Sequence, residues 1–394
     1  MLEKKETGCT LRARDVNSFI VMDVLEKAQE MEASGEDIIH LEIGEPDFDT
    51  PQPIKEIAMK ALAEGDTHYT HSLGKLKLRE AIASFYGRKY GVELSPEQII
   101  VTSGTSPGLL LVLSVLLERG DEVILSDPHY ACYPNFIRYL EGNPVYVPVC
   151  GENGFKYCPD DIKKVIGPRT AVLMLNSPAN PTGAVYNNRE LQELAELDCP
   201  IISDEVYSGL VYGEKEHTIL EFTNKAFVIG GFSKVYAMTG WRLGYIIVPP
   251  EYVRPIQKLQ QNLFICAASF AQEAAVTALT CCDSFVKEMV EVYNSRRRYL
   301  LQRLKEMGIA PRVEPKGAFY VLADLRKYTA DSLAFAFEIL EKAKVAVAPG
   351  IDFGSNAEGH LRLSYANSLE NIEEGMNRLE LFLKQAKFSG TLAK

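Results

Sequence analysis

The chain is 394 residues long, with 46% hydrophobic and 24% charged residues and a formal net charge of −11 at pH 7. At roughly 100–200 residues per domain, this length predicts two or three globular domains with a large buried core. The acidic balance argues against nucleic acid or an anionic membrane as the main partner, while small anions need only a local cluster of donors.

Cys9, Cys132, Cys150, Cys158, Cys199, Cys266, Cys281 and Cys282 are scattered, with no Cys-x-x-Cys pair. They read as reduced thiols in a cytoplasmic compartment. Met1 to Arg14 is charged and lacks the apolar stretch of a secretory signal. No apolar run reaches the length needed to span a bilayer.

Residues 18–34 predict an amphipathic helix, with Ile20, Val24, Ala28 and Met31 at helical spacing. An extended run, Ile38–Ile43, follows and ends in the turn chemistry of Gly44-Glu45-Pro46-Asp47. From about residue 95, short apolar runs alternate with helical stretches. The candidate strands are Ile99–Thr102, Glu122–Leu125, Val145–Val149, Ala171–Leu175, Pro200–Ser203, Phe227–Ile229 and Tyr245–Val248. Their continuous apolar character suits strands buried on both faces. A helix is expected over Arg189–Leu197, capped at Asn188.

Beyond residue 280 a long helix is expected over 283–307, stopped by Gly308. Next come a strand over Gly317–Ala323, a helix near 331–343, strands near 345–348 and at His360–Ser364, and a closing helix near 369–386. The predicted class is α/β: a large domain with a mostly parallel central sheet flanked by helices, plus a smaller α+β domain. The expected division is an N-terminal segment (1–46) packing on the small domain, a large domain (47–282) and a small C-terminal domain (283–394). No internal repeat is evident.

Four segments carry chemistry. The first, Asn176-Ser177-Pro178-Ala179-Asn180-Pro181-Thr182-Gly183, leaves a strand at the end where α/β sheets place ligands. Its X-Pro steps stiffen the turn; taken alone it is an ordinary turn. The second, Ser203-Asp204-Glu205-Val206-Tyr207, puts a carboxylate at the end of a buried strand, which is costly unless paired. A helix cap is the plainer alternative there. The third runs from Gly230-Gly231-Phe232-Ser233-Lys234 to Thr239-Gly240-Trp241-Arg242-Leu243-Gly244. Its glycines allow close backbone approach, and it gathers a hydroxyl, an amine and a guanidinium. The fourth, His360-Leu361-Arg362-Leu363-Ser364, sets an Arg in an alternating strand, where facing inward it would grip a carboxylate.

Taken together, Asn180-Pro-x-Gly, Asp204-x-x-Tyr207, Ser233-Lys234, Gly240-Trp-Arg242 and Arg362 form a set that resembles the class I aminotransferases. These belong to the aspartate aminotransferase superfamily of fold-type-I pyridoxal-phosphate enzymes. The resemblance runs almost the whole chain and includes Gly44-Glu-Pro-Asp47-Phe and Ser103-Gly104-Thr105. It implies pyridoxal 5′-phosphate bound in the large domain and Lys234 as the Schiff-base lysine, which also moves the proton at the substrate Cα. Asp204 matches the acid beside the pyridine nitrogen. Asn180 and Tyr207 match the groups on the ring's phenolic oxygen, and Tyr130 matches the aromatic that stacks on the ring, where many relatives carry Trp.

By the same resemblance, Ser103, Gly104, Thr105, Ser233 and Arg242 hold the phosphate, and Tyr69 reaches the phosphate of a neighbouring subunit, which makes the active unit a homodimer with shared sites. Arg362, helped by Gly44 and Asn180, takes the substrate carboxylate. Two tempting groups are set aside: His68 with His71 has no third metal ligand nearby and reads as surface polar residues, so no metal is expected, and Arg296-Arg297-Arg298 fans around a helix in a solvated or interface role.

The implied reaction moves the amino group of an L-amino acid to a 2-oxo acid, with 2-oxoglutarate as acceptor, by a ping-pong route. β-Elimination at carbon–sulfur bonds and cyclopropane-forming synthesis use the same fold and site. A non-enzymatic regulator would need an added DNA-binding domain. Some bacterial aspartate-specific relatives carry a Lys just after the phosphate turn, where Ser106 and Pro107 stand here. Aromatic, branched or alanine-like donors therefore remain.

Overall fold

The structure, a computed structural model, describes residues 9–388. Residues 1–8, where the reading of Met1 to Arg14 begins, and 389–394 lie outside the described residues.

Along the chain the strands are β1 (Ile39–His40), β2 (Ile99–Thr102), β3 (Glu122–Asp127), β4 (Asn143–Pro148), β5 (Thr170–Asn176), β6 (Ile201–Asp204), β7 (Phe227–Gly231), β8 (Gly244–Ile247), β9 (Tyr320–Asp324), β10 (Val345–Ala346), β11 (Ala348–Pro349) and β12 (His360–Ser364). Seven of them form one sheet in the order β2-β8-β7-β6-β5-β3-β4. The neighbours from β7 through β4 pair in parallel, whereas β8 runs antiparallel to both β7 and β2. The fold is thus the mixed α/β arrangement expected from alternating strands and helices.

Alternate residues of each strand face opposite sides, so a sheet covered on both faces has no polar positions to spare. Ile99, Val101, Leu173, Leu175 and Val228 pack on one side with Ala271, Ala274 and Ala278 of the helix Ser269–Cys281. Ile100, Val172, Met174, Ile202 and Ile229 pack on the other with Leu109 and Val112 of the helix Thr105–Leu116. β4 departs from the expected double burial. It is one of the two edge strands, paired on one side only, and unlike β2 at the other edge it leaves Asn143, Tyr146 and Pro148 exposed.

β9, β11 and β12 make a three-stranded antiparallel sheet, and β1 pairs with β10. The long helix Asp283–Met307 ends at Gly308, whose φ of 68° is the left-handed cap its sequence position predicts. Its Leu300 and Leu304 share a core with Val321 and Ala323 of β9 and Leu379 and Leu383 of the helix Leu369–Phe388. The helix Ile20–Ala33 buries Val24 and Ala28 against Leu340 and Ala346. One expected cap moves by a residue. Asn187, not Asn188, caps the helix Asn188–Ala195, accepting from Glu190 N at 3.0 Å while Glu190 accepts from Asn187 N at 2.7 Å. No helix among the described residues is long and apolar enough to cross a membrane.

Candidate active site

Strand direction assembles the site. β2, β5, β6 and β7 end on one rim of the sheet, with Thr102, Asn176, Asp204 and Gly231. β8 runs the other way and so begins on that rim, its Gly244 opposite both Thr102 and Gly231. Turns at these strand ends line a cleft of about 350 Å³. Gly44, Thr105, Tyr130, Asn180, Asp204, Tyr207, Ser233, Lys234, Arg242 and Arg362, drawn from seven separate stretches of sequence, all face it.

At one end the turn Ser103-Gly104 leads into the twelve-residue helix Thr105–Leu116, whose first N–H groups have no partner within the helix. Gly104 has φ +103°, and a Cβ there would stand 2.7 Å from Arg242 Nη2. Gly244 is required by contact instead: a Cβ there would meet the Gly104 carbonyl carbon and the Thr105 nitrogen, both at 2.9 Å. The close approaches expected at Gly230 and Gly231 are to the Tyr245 ring and to Thr105. Arg242 itself sits at φ 50°, a strained backbone position for a non-glycine residue. Its Nη1 donates to Thr239 O at 2.9 Å, and its side chain remains exposed.

In the middle, Lys234 Nζ donates to Gly44 O at 2.5 Å. Burial draws this amine down to about 8; nearby Glu45 pulls the other way, and Arg362 and Arg242 add to the depression. Glu45 is held by the Thr239 hydroxyl. Trp241 Nε1 donates to Thr50 at 3.0 Å, and Thr50 donates on to Ala237 O at 2.5 Å. These bonds tie the Gly44–Thr50 stretch to the loop that follows Lys234.

At the other end, Asp204 is 9% exposed and accepts from the Tyr133 hydroxyl at 2.6 Å and from Val206 N at 3.2 Å. The latter bond closes a local turn two residues on, so no helix cap is made. Burial pushes the Asp204 carboxyl up to about 6, and the Tyr133 hydroxyl works against that rise. Its neighbour Glu205 faces away and anchors the strand end, accepting from Ser203, Thr218 and Ile219 at 2.9–3.2 Å.

Arg362 is 1% exposed. Its guanidinium lies 4.3 Å from the Tyr320 ring centroid and 4.8 Å from that of Phe353. Nη1 donates to Asn180 Oδ1 at 3.0 Å and Nη2 to the Glu42 carbonyl, while Nε has no partner. A buried guanidinium bonded only to neutral acceptors is a strong carboxylate receptor. Asn180 is fixed in turn, its N–H donating to Asn176 Oδ1 at 2.8 Å, and Asn176 Nδ2 donates to Asp204 O at 2.9 Å. Tyr207 and Tyr320 share a bond between hydroxyls at 2.8 Å.

Sequence reasoning passed over Tyr133, Asn176, Tyr320, Glu42 and Glu45. Asn176 and Glu45 stand inside segments already singled out, and Tyr133 lies three residues from Tyr130, so proximity was the usable signal. Tyr320 gives none, being one aromatic among many in an apolar strand. Tyr69 stands apart from the cleft and is 82% exposed. Of the arginine run, Arg296 binds Asp47 at 2.8 Å and Arg297 binds Pro315 O at 3.0 Å, whereas Arg298 is exposed.

The donor set fits pyridoxal phosphate. A helix N-terminus with Ser233 and Arg242 suits a phosphate. A buried acid suits a ring nitrogen, and a depressed lysine in the same cleft feels both Arg242 and Asp204.

A profile described as aminotransferase class I and II matches residues 36–379. The chain is 43% identical to a (5-formylfuran-3-yl)methyl phosphate transaminase of Methanocaldococcus jannaschii, over 95% of this chain and 99% of that one. It is 39% identical to aromatic-amino-acid aminotransferase 2 of Thermococcus litoralis, over 95% and 98%. The solved aspartate aminotransferase from Thermus thermophilus with maleate superposes with a TM-score of 0.91 at 38% identity, over 95% and 99%.

Proposed function

The chain belongs to the class I and II aminotransferase family, whose members depend on pyridoxal phosphate, and on that premise we propose a ping-pong exchange of an amino group through Lys234. The donor is an L-amino acid and the acceptor a 2-oxo acid, 2-oxoglutarate being the first to test. The observation that carries this reading is the pairing of a depressed lysine with a carboxylate receptor, Lys234 and Arg362, in one cleft.

When bound, the cofactor supplies an aldehyde for attachment and a ring that withdraws electrons from the substrate carbon. Ser103, Gly104, Thr105, Ser233 and Arg242 would hold its phosphate. Asp204 would hold the ring nitrogen protonated. Asn180 and Tyr207 would serve the phenolic oxygen, and Tyr130 would stack on the ring. Arg362, with Gly44 and Asn180, would seat the substrate α-carboxylate, so that the Cα hydrogen faces Lys234. A lysine drawn down to about 8 is partly neutral at pH 7–8 and can take that proton and return it.

The division into segments 1–46, 47–282 and 283–394 is part of the same reading, supported by a core that unites β9, β12 and the two long C-terminal helices with Ile39 and Leu41 of the N-terminal segment, and that meets the large domain at Tyr207, Leu210 and Tyr212. A homodimer with shared sites is supported by the surface around Tyr69. Thr70 N lies 3.3 Å from Cys266 Sγ, which brings Tyr69 near Leu263 and Ile265, both exposed. Ile265 has φ 66°, a strained setting for a β-branched residue on an open surface. The eight free cysteines support a cytoplasmic enzyme.

The test is an absorption spectrum of purified protein, followed through addition of single amino acids and then of 2-oxo acids. A visible band that fades with a donor, returns with an acceptor and yields a new amino acid is expected, and Lys234→Ala should abolish turnover with the fold retained. Stable release of a 2-oxo acid and ammonia would move the enzyme to the β-elimination lyases. Unchanged turnover in the variant would remove Lys234 from its role.

A further inference from the structure

Arg362 is held by more than its own strand. β11 and β12 are joined by a connection that forms two short helical turns, Gly350–Phe353 and Ser355–Ala357, on either side of Gly354. Phe353 ends the first turn fully buried, with its ring against the Arg362 guanidinium. The connection joins strands of the small sheet, yet it is gripped from the end of β3 in the seven-stranded one.

Asp127, the last residue of β3, is 5% exposed and lies outside the cleft lining. Its Oδ2 accepts from Ser355 Oγ at 2.7 Å and its Oδ1 from Asn356 N at 3.1 Å. Asn356 Nδ2 donates to the Asp127 carbonyl at 3.2 Å, and two residues on, His129 N donates to Phe353 O at 2.8 Å. Gly354 has φ +120°, and a Cβ there would run into the Asp127 carboxylate. A buried carboxylate is costly unless its oxygens are satisfied. Both are satisfied here, and by the same connection.

We propose that Asp127 is a positioning residue for substrate binding, acting on Arg362 through Phe353. This rests on Arg362 taking the α-carboxylate. The guanidinium bonds only neutral oxygens through its Nη atoms, so the rings of Tyr320 and Phe353 fix its plane. Phe353 also packs with Val21, Ala131, Leu322 and Ala357. Apolar packing is non-directional and lets a ring slide, whereas hydrogen bonds on both flanks do not. A displaced guanidinium loses the carboxylate in ground and transition states alike, so KM rises while kcat holds. A residue that merely braced the fold would not produce that split.

Steady-state kinetics of the cofactor-loaded enzyme over a panel of amino donors tests this. Asp127→Ala should raise KM about tenfold with kcat within about twofold and cofactor affinity unchanged. Asp127→Asn can still accept from Asn356 N and can donate to Ser355 Oγ, so KM should return to within about twofold of the parent. Ser355 is exposed, so Ser355→Ala folds even where Asp127→Ala does not; losing one bond should raise KM about threefold. Phe353→Leu should raise KM alone, and combined with Asp127→Ala should raise it no further than the larger single change. A fall in kcat at constant KM, an Asn variant no better than Ala, or additive effects in the double variant would each overturn the proposal. If no amino acid alters the visible band of the parent, the aminotransferase reading itself fails. If Arg362→Lys raises KM but neither Asp127→Ala nor Ser355→Ala does, only the positioning role fails.

Discussion

Tyr133 donates its hydroxyl to Asp204 Oδ2 across 2.6 Å, joining the helix Tyr133–Tyr139 to the end of β6. Burial pushes that carboxyl up to about 6, and the tyrosine is the largest influence holding it from going higher. Tyr133→Phe removes the donor, so the carboxyl needs a higher pH to ionise. Cofactor affinity at pH 7 should fall about tenfold, as for loss of one hydrogen bond to a charged group. The acid limb of a binding titration from pH 5.5 to 8 should move upward. An unmoved limb would show that Tyr133 does not act on Asp204.

The phosphate turn offers a paired test. Gly244→Ala would force a Cβ against the Gly104 and Thr105 backbone at 2.9 Å, where backbone must give. Cofactor affinity should drop by about 10–100-fold, the equivalent of roughly 1.4–2.7 kcal/mol. Gly240→Ala, a few residues away, meets nothing within 4 Å and needs no left-handed backbone. It should stay within about 0.5 kcal/mol of the parent in stability and leave cofactor binding alone. Equal damage from both would mean that the loop, not the contact, matters.

Arg362 is flat, stacked on two rings and bonded at both Nη atoms. A lysine can reproduce the charge but neither the stacking nor the fork. Arg362→Lys should raise KM for every amino donor by an amount equivalent to about 2–4 kcal/mol. Steady-state kinetics across a donor panel measures this. A loss confined to acidic donors would mean that Arg362 binds a side chain rather than the α-carboxylate.

His40 Nδ1 lies 2.7 Å from Glu42 Oε1 and its Nε2 3.2 Å from Glu32 Oε1. The Glu42 bond chiefly lifts the imidazole from 6.5 to about 9. A raised histidine contributes stability in full below pH 6.5 and loses it as pH climbs through 9. The loss should be about 1–2 kcal/mol, less than the full shift would carry because one edge of the ring meets water. Melting temperatures between pH 6 and 10 should fall in the parent relative to His40→Gln. Because the Glu42 carbonyl also holds Arg362, substrate affinity should weaken over the same interval.

The fold was legible where burial was two-sided. β2 and β12 and the helix Asp283–Met307 have the bounds their residues predict, because apolar runs and a stopping glycine leave few choices. β4 was harder, since an edge strand need not be apolar outside. The reversed direction of β8 left no mark in its four residues; direction is decided by the connection from β7, which holds no crossover helix. Asn180, Asp204 and Lys234 were legible because their segments leave strand ends, and Arg362 because it is a cation within an apolar alternating strand. Tyr133 and Tyr320 were not, because a tyrosine pattern is the same whether its hydroxyl meets a carboxylate or simply reaches solvent. Tyr69 is legible only as an exposed ring outside the cleft.

The reversal of β8 has a consequence for biosynthesis. The two halves of the proposed phosphate cup, at Ser103–Thr105 and at Ser233–Arg242, lie far apart in the chain, and β8, which pairs with both β2 and β7, joins the strands that carry them. A nascent chain therefore carries the first half of the cup long before the second has been translated, and the cofactor has nothing complete to bind. With the cup assigned as proposed, pyridoxal phosphate acts as a late fastener. It would not speed the closing of the sheet, but by mass action it would slow its reopening. Starving a cell of the vitamin should then shorten the lifetime of the finished protein while leaving its rate of appearance unchanged.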